Sequence, residues 1–182
     1  MILPLPVKKN KFGQRVADIL TCDYYTQLAE EIIEANEASF SIAGNDEGLE
    51  LVDVITTCIT RLNIMHWYED EKFNVYVERI VIGAEKDYTK PKRDFYVELT
   101  HAAMLAYSAA KIGQVINILS SEGCAMCIGN IDSWEYDEES ALGNIIVMCI
   151  KRLEYLGYDE DSRQKLYQAV NDKNQKRGYF DD

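Results

Sequence analysis

The sequence predicts an all-α helical bundle, and three observations carry that expectation. Only three prolines occur among 182 residues, at Pro4, Pro6 and Pro91, so long helices are interrupted only near the start and at the middle. Apolar residues recur at three- and four-residue spacing over most of the chain, which favours helices over a sandwich of short strands. The apolar content of 47% is enough for one substantial core, or two small ones packed together.

Taken in order, residues 23–43 carry Leu28, Ile32, Ile33, Ala35, Ala38 and Phe40 at roughly helical spacing. Gly44 follows as a stop, and Asn45 or Asp46 can cap the next helix. That helix runs to about Ile64, with Leu49, Val52, Ile55, Ile59 and Leu62 on one face. Residues 73–86 are ambiguous: Phe73, Val77, Ile80, Val81 and Ala84 fit a helix, whereas the β-branched run fits a strand, and helix is the reading adopted. After Pro91 one long helix is predicted over 94–121, then a loop over 123–137 holding Cys124, Gly129 and Trp134. Helix returns over 138–155 and again over 159–175.

Nothing near the start is apolar for long enough to make a signal peptide or a membrane span, so a soluble, cytoplasmic protein without membrane contact is expected. Five cysteines are scattered at 22, 58, 124, 127 and 149, an odd number that suits no disulfide framework. Cys58 and Cys149 lie in apolar helical runs and are expected to be buried thiols. Cys124 and Cys127 form a single CxxC with no second pair to complete a zinc site, so a loop with reduced thiols is expected. The net charge of −12 repels a nucleic-acid backbone, which excludes that partner class. A polyphosphate substrate stays open, because a divalent cation can reverse the local sign.

The two halves look like copies of one unit. Residues 53–62 (DVITTCITRL) match residues 144–153 (NIIVMCIKRL) at an offset of 91, sharing Ile, Cys, Ile, Arg and Leu. Glu69-Asp70 continues the match to Glu160-Asp161, and Tyr76 to Tyr167. An offset of half the chain points to duplication.

The first half holds two acidic pairs. Glu31 and Glu34 are three apart on one predicted helix, and Glu50 and Asp53 are three apart on the next, so each pair projects from one face. A turn around Gly44 to Gly48 can fold the helices antiparallel and bring both pairs to one point. Each close carboxylate pair costs about 1 kcal/mol in water and about 4 kcal/mol at an effective dielectric of 20, so convergence requires protons or cations. All-oxygen donors suit Mg²⁺, or Mn²⁺ in its place, and such an ion bridges to substrate phosphates.

LAEEIIEAN followed by LELVDVI resembles the EExxE and ExxD signature of the MazG-type all-α nucleoside-triphosphate pyrophosphohydrolases, relatives of dimeric dUTPases and phosphoribosyl-ATP pyrophosphohydrolases. HAAMLAYSAAKIGQVIN and ALGNIIVMCIKRLEYLG resemble the family's two long helices again, so the likeness covers nearly everything beyond about residue 20. It implies a MazG-like bundle of two tandem copies packed as a pseudo-dimer, with residues 1–91 keeping the acids and residues 92–182 a degenerate partner, together one compact unit. In the second copy Ala110, Lys111 and Gln114 are aligned with EExxE, and Ala141 and Asn144 replace ExxD. The closing segment KNQKRGY resembles the family's basic segment, with Val170 where many members have a further Lys.

The resemblance implies hydrolysis of a nucleoside triphosphate to the monophosphate and pyrophosphate. Glu31, Glu34, Glu50 and Asp53 are the expected metal ligands and catalytic carboxylates, with Glu30 behind them or in the place of Glu31 if the helix is rotated. Lys173, Asn174, Lys176 and Arg177 are the expected phosphate contacts, and a homodimer of the pseudo-dimeric chain is the further partner considered. Tyr24 and Tyr25 are in reach of a base but, as aromatics at helical spacing, are assigned to the core. Two other readings stand beside this one: a di-iron carboxylate bundle using Glu98 and His101 as an ExxH, and a non-catalytic helical interaction module.

Overall fold

The computed structural model describes residues 3–40, 46–66, 92–121 and 138–181. The helix expected over 73–86, the Gly44 stop and the CxxC loop lie outside the described residues. Within them the chain is all-α: a 3₁₀ turn at Val16–Asp18 precedes α1 (Thr21–Phe40), α2 (Glu47–His66), α3 (Lys92–Ser121), α4 (Glu138–Tyr155) and α5 (Glu160–Lys176). Among the described residues, extended pairing is limited to one isolated bridge between Lys9 and Arg15.

Local chemistry explains where the helices begin and end. Asp46 caps α2, its Oδ1 accepting from Gly48 N–H at 2.8 Å, while its carbonyl accepts from Leu49 and Glu50. Asp159 caps α5 through Ser162 N–H at 2.9 Å. Between α4 and α5 the chain reverses at Gly157, whose φ of 92° is left-handed. There Tyr158 N–H reaches back to Leu153 O at 3.0 Å and Gly157 N–H to Glu154 O at 3.0 Å, the paired bonds of a glycine-terminated helix.

α2 and α4 form the centre. α2 packs against α1, α4 and α5, so it is buried nearly all round rather than on the single face expected from its periodicity. That is why Thr56, Thr57 and Thr60 are buried beside Val52, Ile55 and Leu62. Each finds a use for its polar atoms: Thr56 Oγ1 donates to Val52 O at 2.8 Å, Thr57 O accepts from Tyr24 OH at 2.9 Å, and Thr60 Oγ1 accepts from Val7 N–H at 3.0 Å. Cys58 and Cys149 are both buried, and burial pushes both thiols well above their ordinary range.

Two charged clusters tie α2 to α4 reciprocally. Arg61, late in α2, donates to Glu138 at the start of α4 (2.7 and 3.3 Å), and Arg152, late in α4, donates to Glu47 at the start of α2 (2.9 Å). The two helices therefore run antiparallel, and each acid sits at a helix N-terminus, where the backbone dipole favours it. A tyrosine joins each cluster: Tyr25 OH donates to Glu138 and Tyr96 OH to Glu47, both at 2.9 Å. Each arginine also lies over an aromatic ring, Arg61 over Tyr24 at 5.5 Å and Arg152 over Phe95 at 5.4 Å. Glu47 and Glu138, like Arg61 and Arg152, are 91 residues apart, whereas Tyr25 and Tyr96 are 71 apart.

The segment before α1 is an ordered arm. Leu3 is buried, Leu5 N–H donates to Asn171 Oδ1 at 3.0 Å, and the N–H groups of Lys8 and Lys9 both donate to Tyr179 O at 2.7 and 3.0 Å. The N-terminus is thereby laid against α2 and the turn that follows α5. Among the described residues, no helix is long and apolar enough to cross a membrane.

Candidate metal and phosphate site

α1 and α2 pack antiparallel, with Tyr24 beside Thr57 and Glu31 beside Asp53. Glu50 and Asp53 leave α2 one turn apart on the same side, and Glu31 meets them from α1. Carboxylate oxygens of these three residues lie within 4.8 Å of one another, the one such acidic group among the described residues. Ligands of a single six-coordinate Mg²⁺ are about 3–4 Å apart, given bonds near 2.1 Å, so a small closure of the three oxygens fits the ion. The donor set is all oxygen, which suits a hard cation and gives softer metals nothing to prefer.

Around the acids is a cavity of about 390 Å³. Glu34 lines it one turn beyond Glu31 but is exposed and stands outside the tight group. Glu30 turns away to an ion pair with Lys11, so the rotated alternative, in which Glu30 replaces Glu31, is not what the helix adopts.

The electrostatics are those of crowded, partly buried carboxylates. Burial, then the charges of Asp53 and Glu34, push the Glu31 carboxyl up to about 7. Burial and Asp53 raise Glu50 in the same direction, with Lys173 and Arg177 opposing. Lys173 of α5 reaches across to hydrogen-bond Asp53, so one ammonium already occupies the edge of the acidic group.

The C-terminal segment supplies the opposite wall. Asn174 is buried and lines the cavity, as do Lys173 and Arg177. Arg177 closes α5, and Gly178, at a φ of 72°, turns the chain so that Tyr179 also faces the cavity. Lys176 is exposed and does not line it, although it follows Lys173 by three residues at the end of α5. Of the predicted phosphate contacts, three come to the acids and Lys176 does not.

Several lining residues were not anticipated. Lys9, Asn10 and Lys11 enter from the arm, and Gln27 from α1. Gln27 had a legible signal, four residues before Glu31 and so on the same helix face. The arm had only a weak one, an Asn-x-x-Gly turn in a basic run, where Asn10 Oδ1 accepts from Phe12 and Gln14 N–H, both at 2.9 Å. Tyr24 and Tyr25 lie in the core as assigned.

The positions 91 residues after Glu50 and Asp53 are Ala141, buried, and Asn144, half-buried. The two tyrosines that join the arginine clusters are spaced differently from the sequence match. The offset of 71 between Tyr25 and Tyr96 carries Glu31 and Glu34 onto Ala102 and Leu105, whereas the sequence alignment carries them onto Lys111 and Gln114. His101 of the ExxH pair is exposed and belongs to no acidic group among the described residues. Comparison with protein-family models, with curated proteins and with solved structures finds nothing that matches the chain.

Proposed function

We propose that the protein is a Mg²⁺-dependent nucleoside-triphosphate pyrophosphohydrolase of the MazG-like all-α type, cleaving its substrate to the monophosphate and pyrophosphate. One observation carries the reading: Glu31, Glu50 and Asp53 converge from two antiparallel helices and line one cavity with Lys173, Asn174 and Arg177. Acids that hold cations, opposed to bases that hold anions, are what a metal–polyphosphate complex requires.

Glu31, Glu50 and Asp53 would hold Mg²⁺, or Mn²⁺ in its place, with Glu34 at the margin of the same group. When bound, the metal supplies polarisation of a phosphoryl oxygen and a lowered pKa for an attacking water. Lys173 and Arg177 offset charge on the phosphate oxygens, and Asn174 donates a hydrogen bond to them. One of these carboxylates would orient or deprotonate the attacking water.

The reciprocal Arg61–Glu138 and Arg152–Glu47 pairs support the further reading that the bundle is a tandem duplication packed as a pseudo-dimer. A two-fold contact exchanges equivalent residues, and these four exchange at the same offset of 91 that the sequence match gave. On that reading one active site serves each chain, with acids from the first copy and bases from the second. The Ala102, Ala141 and Asn144 positions of the second copy lack carboxylates and cannot make the same metal site.

The test is a panel of ribo- and deoxynucleoside triphosphates with Mg²⁺, scoring pyrophosphate against orthophosphate. Glu31→Gln and Glu50→Gln are each expected to lower turnover by at least about a hundredfold. Asn144→Ala is expected to leave it within about twofold. No pyrophosphate from any nucleotide would end the enzymatic reading and favour a binding module.

A further inference from the structure

We propose that the N-terminal arm is a working wall of this site, and that Lys9 and Lys11 bind phosphate oxygens which the acid-held cation and the α5 bases do not reach. The inference rests on the metal-and-phosphate reading above and extends it to a segment outside both helix pairs.

Position comes first. Lys9, Asn10 and Lys11 line the same cavity as Glu31, Glu50, Asp53, Lys173 and Arg177. They are not there as a loose tail. The arm is fixed upstream by Leu3 in the core and by Val7 N–H on Thr60, and at its tip by Asn10. Asn10 is itself buried, and its Nδ2 donates to Gln14 Oε1 at 3.0 Å while its Oδ1 takes two backbone N–H groups. The carbonyl of Tyr179 accepts from both Lys8 and Lys9, so the arm is tied to the turn that carries Arg177. The basic residues of the arm and of the C-terminus thus form one continuous assembly.

Charge comes second. The cavity is lined by four carboxylates (Glu31, Glu34, Glu50 and Asp53) and four cations (Lys9, Lys11, Lys173 and Arg177). Lys173 is already engaged by Asp53. A chain with a net charge of −12 repels a polyphosphate at long range, so the site must supply its own cations close by. Lys11 suits that task because its partner Glu30 stands outside the metal group, and because its ammonium also lies in the field of Glu31 and Glu34. The Lys11–Glu30 pair is about four-tenths exposed on both sides, and pairs of that kind hold weakly. The lysine can move to an arriving phosphate without uncovering a buried acid. The ligand class is a polyphosphate chain, with or without a nucleoside attached.

The experiment uses the full chain and inorganic tripolyphosphate with Mg²⁺, followed by calorimetry, comparing the wild-type protein with Lys9→Gln/Lys11→Gln. The double variant is expected to bind about tenfold more weakly and with a shallower salt dependence, while Lys165→Gln, on the exposed side of α5, stays within about twofold. Unchanged thermal stability of the double variant separates lost contacts from lost folding. Where a nucleotide is hydrolysed, the same variant is expected to raise KM about tenfold with kcat within about twofold. Arm-dependent tripolyphosphate binding without hydrolysis of any nucleotide would keep this inference and sink the hydrolase. Hydrolysis by the wild type with unchanged tripolyphosphate affinity and KM in the double variant would sink the arm's role and leave the hydrolase. Failure of the wild-type chain to bind tripolyphosphate would overturn the inference outright.

Discussion

Glu31 is under electrostatic stress from burial and from its acidic neighbours, and the consequences are measurable. Its carboxyl is pushed up to about 7 from an ordinary value of 4.5, chiefly by burial and then by Asp53 and Glu34. Between those two values the folded chain holds a proton that the unfolded chain has released. Stability must therefore fall as pH rises through that window and level off above it. The term is of order 3 kcal/mol for Glu31, and Glu50 adds to it in the same direction. In chelator, the urea midpoint is expected to drop between about pH 5 and pH 8, and added Mg²⁺ to restore much of the loss at the upper end. Glu31→Gln should remove most of that slope, stabilising the metal-free chain at pH 8 by about 1–3 kcal/mol while abolishing turnover. A surface glutamate would show neither effect. If Glu31→Gln destabilised the chain at pH 8, the three acids would not be crowded in solution.

At the scale of the helices, the reciprocal arginine clusters set the register of α2 on α4. The Arg152 side chain is 4% exposed and Arg61 15%, so their removal should not cost the same. Arg152→Met leaves the half-buried Glu47 with Tyr96 as its hydrogen-bond partner, and is expected to cost about 3–5 kcal/mol in urea unfolding, with Arg61→Met costing less. Glu47→Gln combined with Arg152→Met should recover part of the loss, since the stranded charge is gone. A cost below about 1 kcal/mol for Arg152→Met would mean that apolar packing alone fixes the register. These clusters also mark the limit of what the sequence disclosed. The Asp46 cap, offered beside Asn45, the span of α4 and the burial of both cysteines follow from local chemistry and were legible. The register of α3 was not, because apolar letters at helical spacing align almost equally well at several offsets. Tyr25 and Tyr96, through their contacts with acids on other helices, favour an offset of 71. The acids were readable because their spacing puts them on known helix faces, whereas the arm has no period and its lysines registered only as charge.

For the molecule as a whole, the decisive fact is that among the described residues neither half of the chain contains its own core. α2 is wrapped by α1 from its own half and by α4 and α5 from the other. Cutting after residue 91 would expose Leu51, Val54, Ile55 and Cys58 together, and would strip Arg61 and Glu47 of their partners. Burying each Leu or Ile contributes about 1.5–3 kcal/mol, so losing even several exceeds the whole stability of a typical domain. The fragment 92–182 loses the same contacts from the other side, because α4 is buried along nearly its whole length. Neither fragment is therefore expected to unfold cooperatively alone. An equimolar mixture should regain helical content and a single transition whose midpoint rises with total concentration, since association is then linked to folding. The same mixture should bind Mg²⁺ with tripolyphosphate, because Lys173 and Asp53 meet only when the halves do. A sharp, concentration-independent transition from residues 1–91 alone would show that the first half is an autonomous domain, and the shared core described here would have to be abandoned.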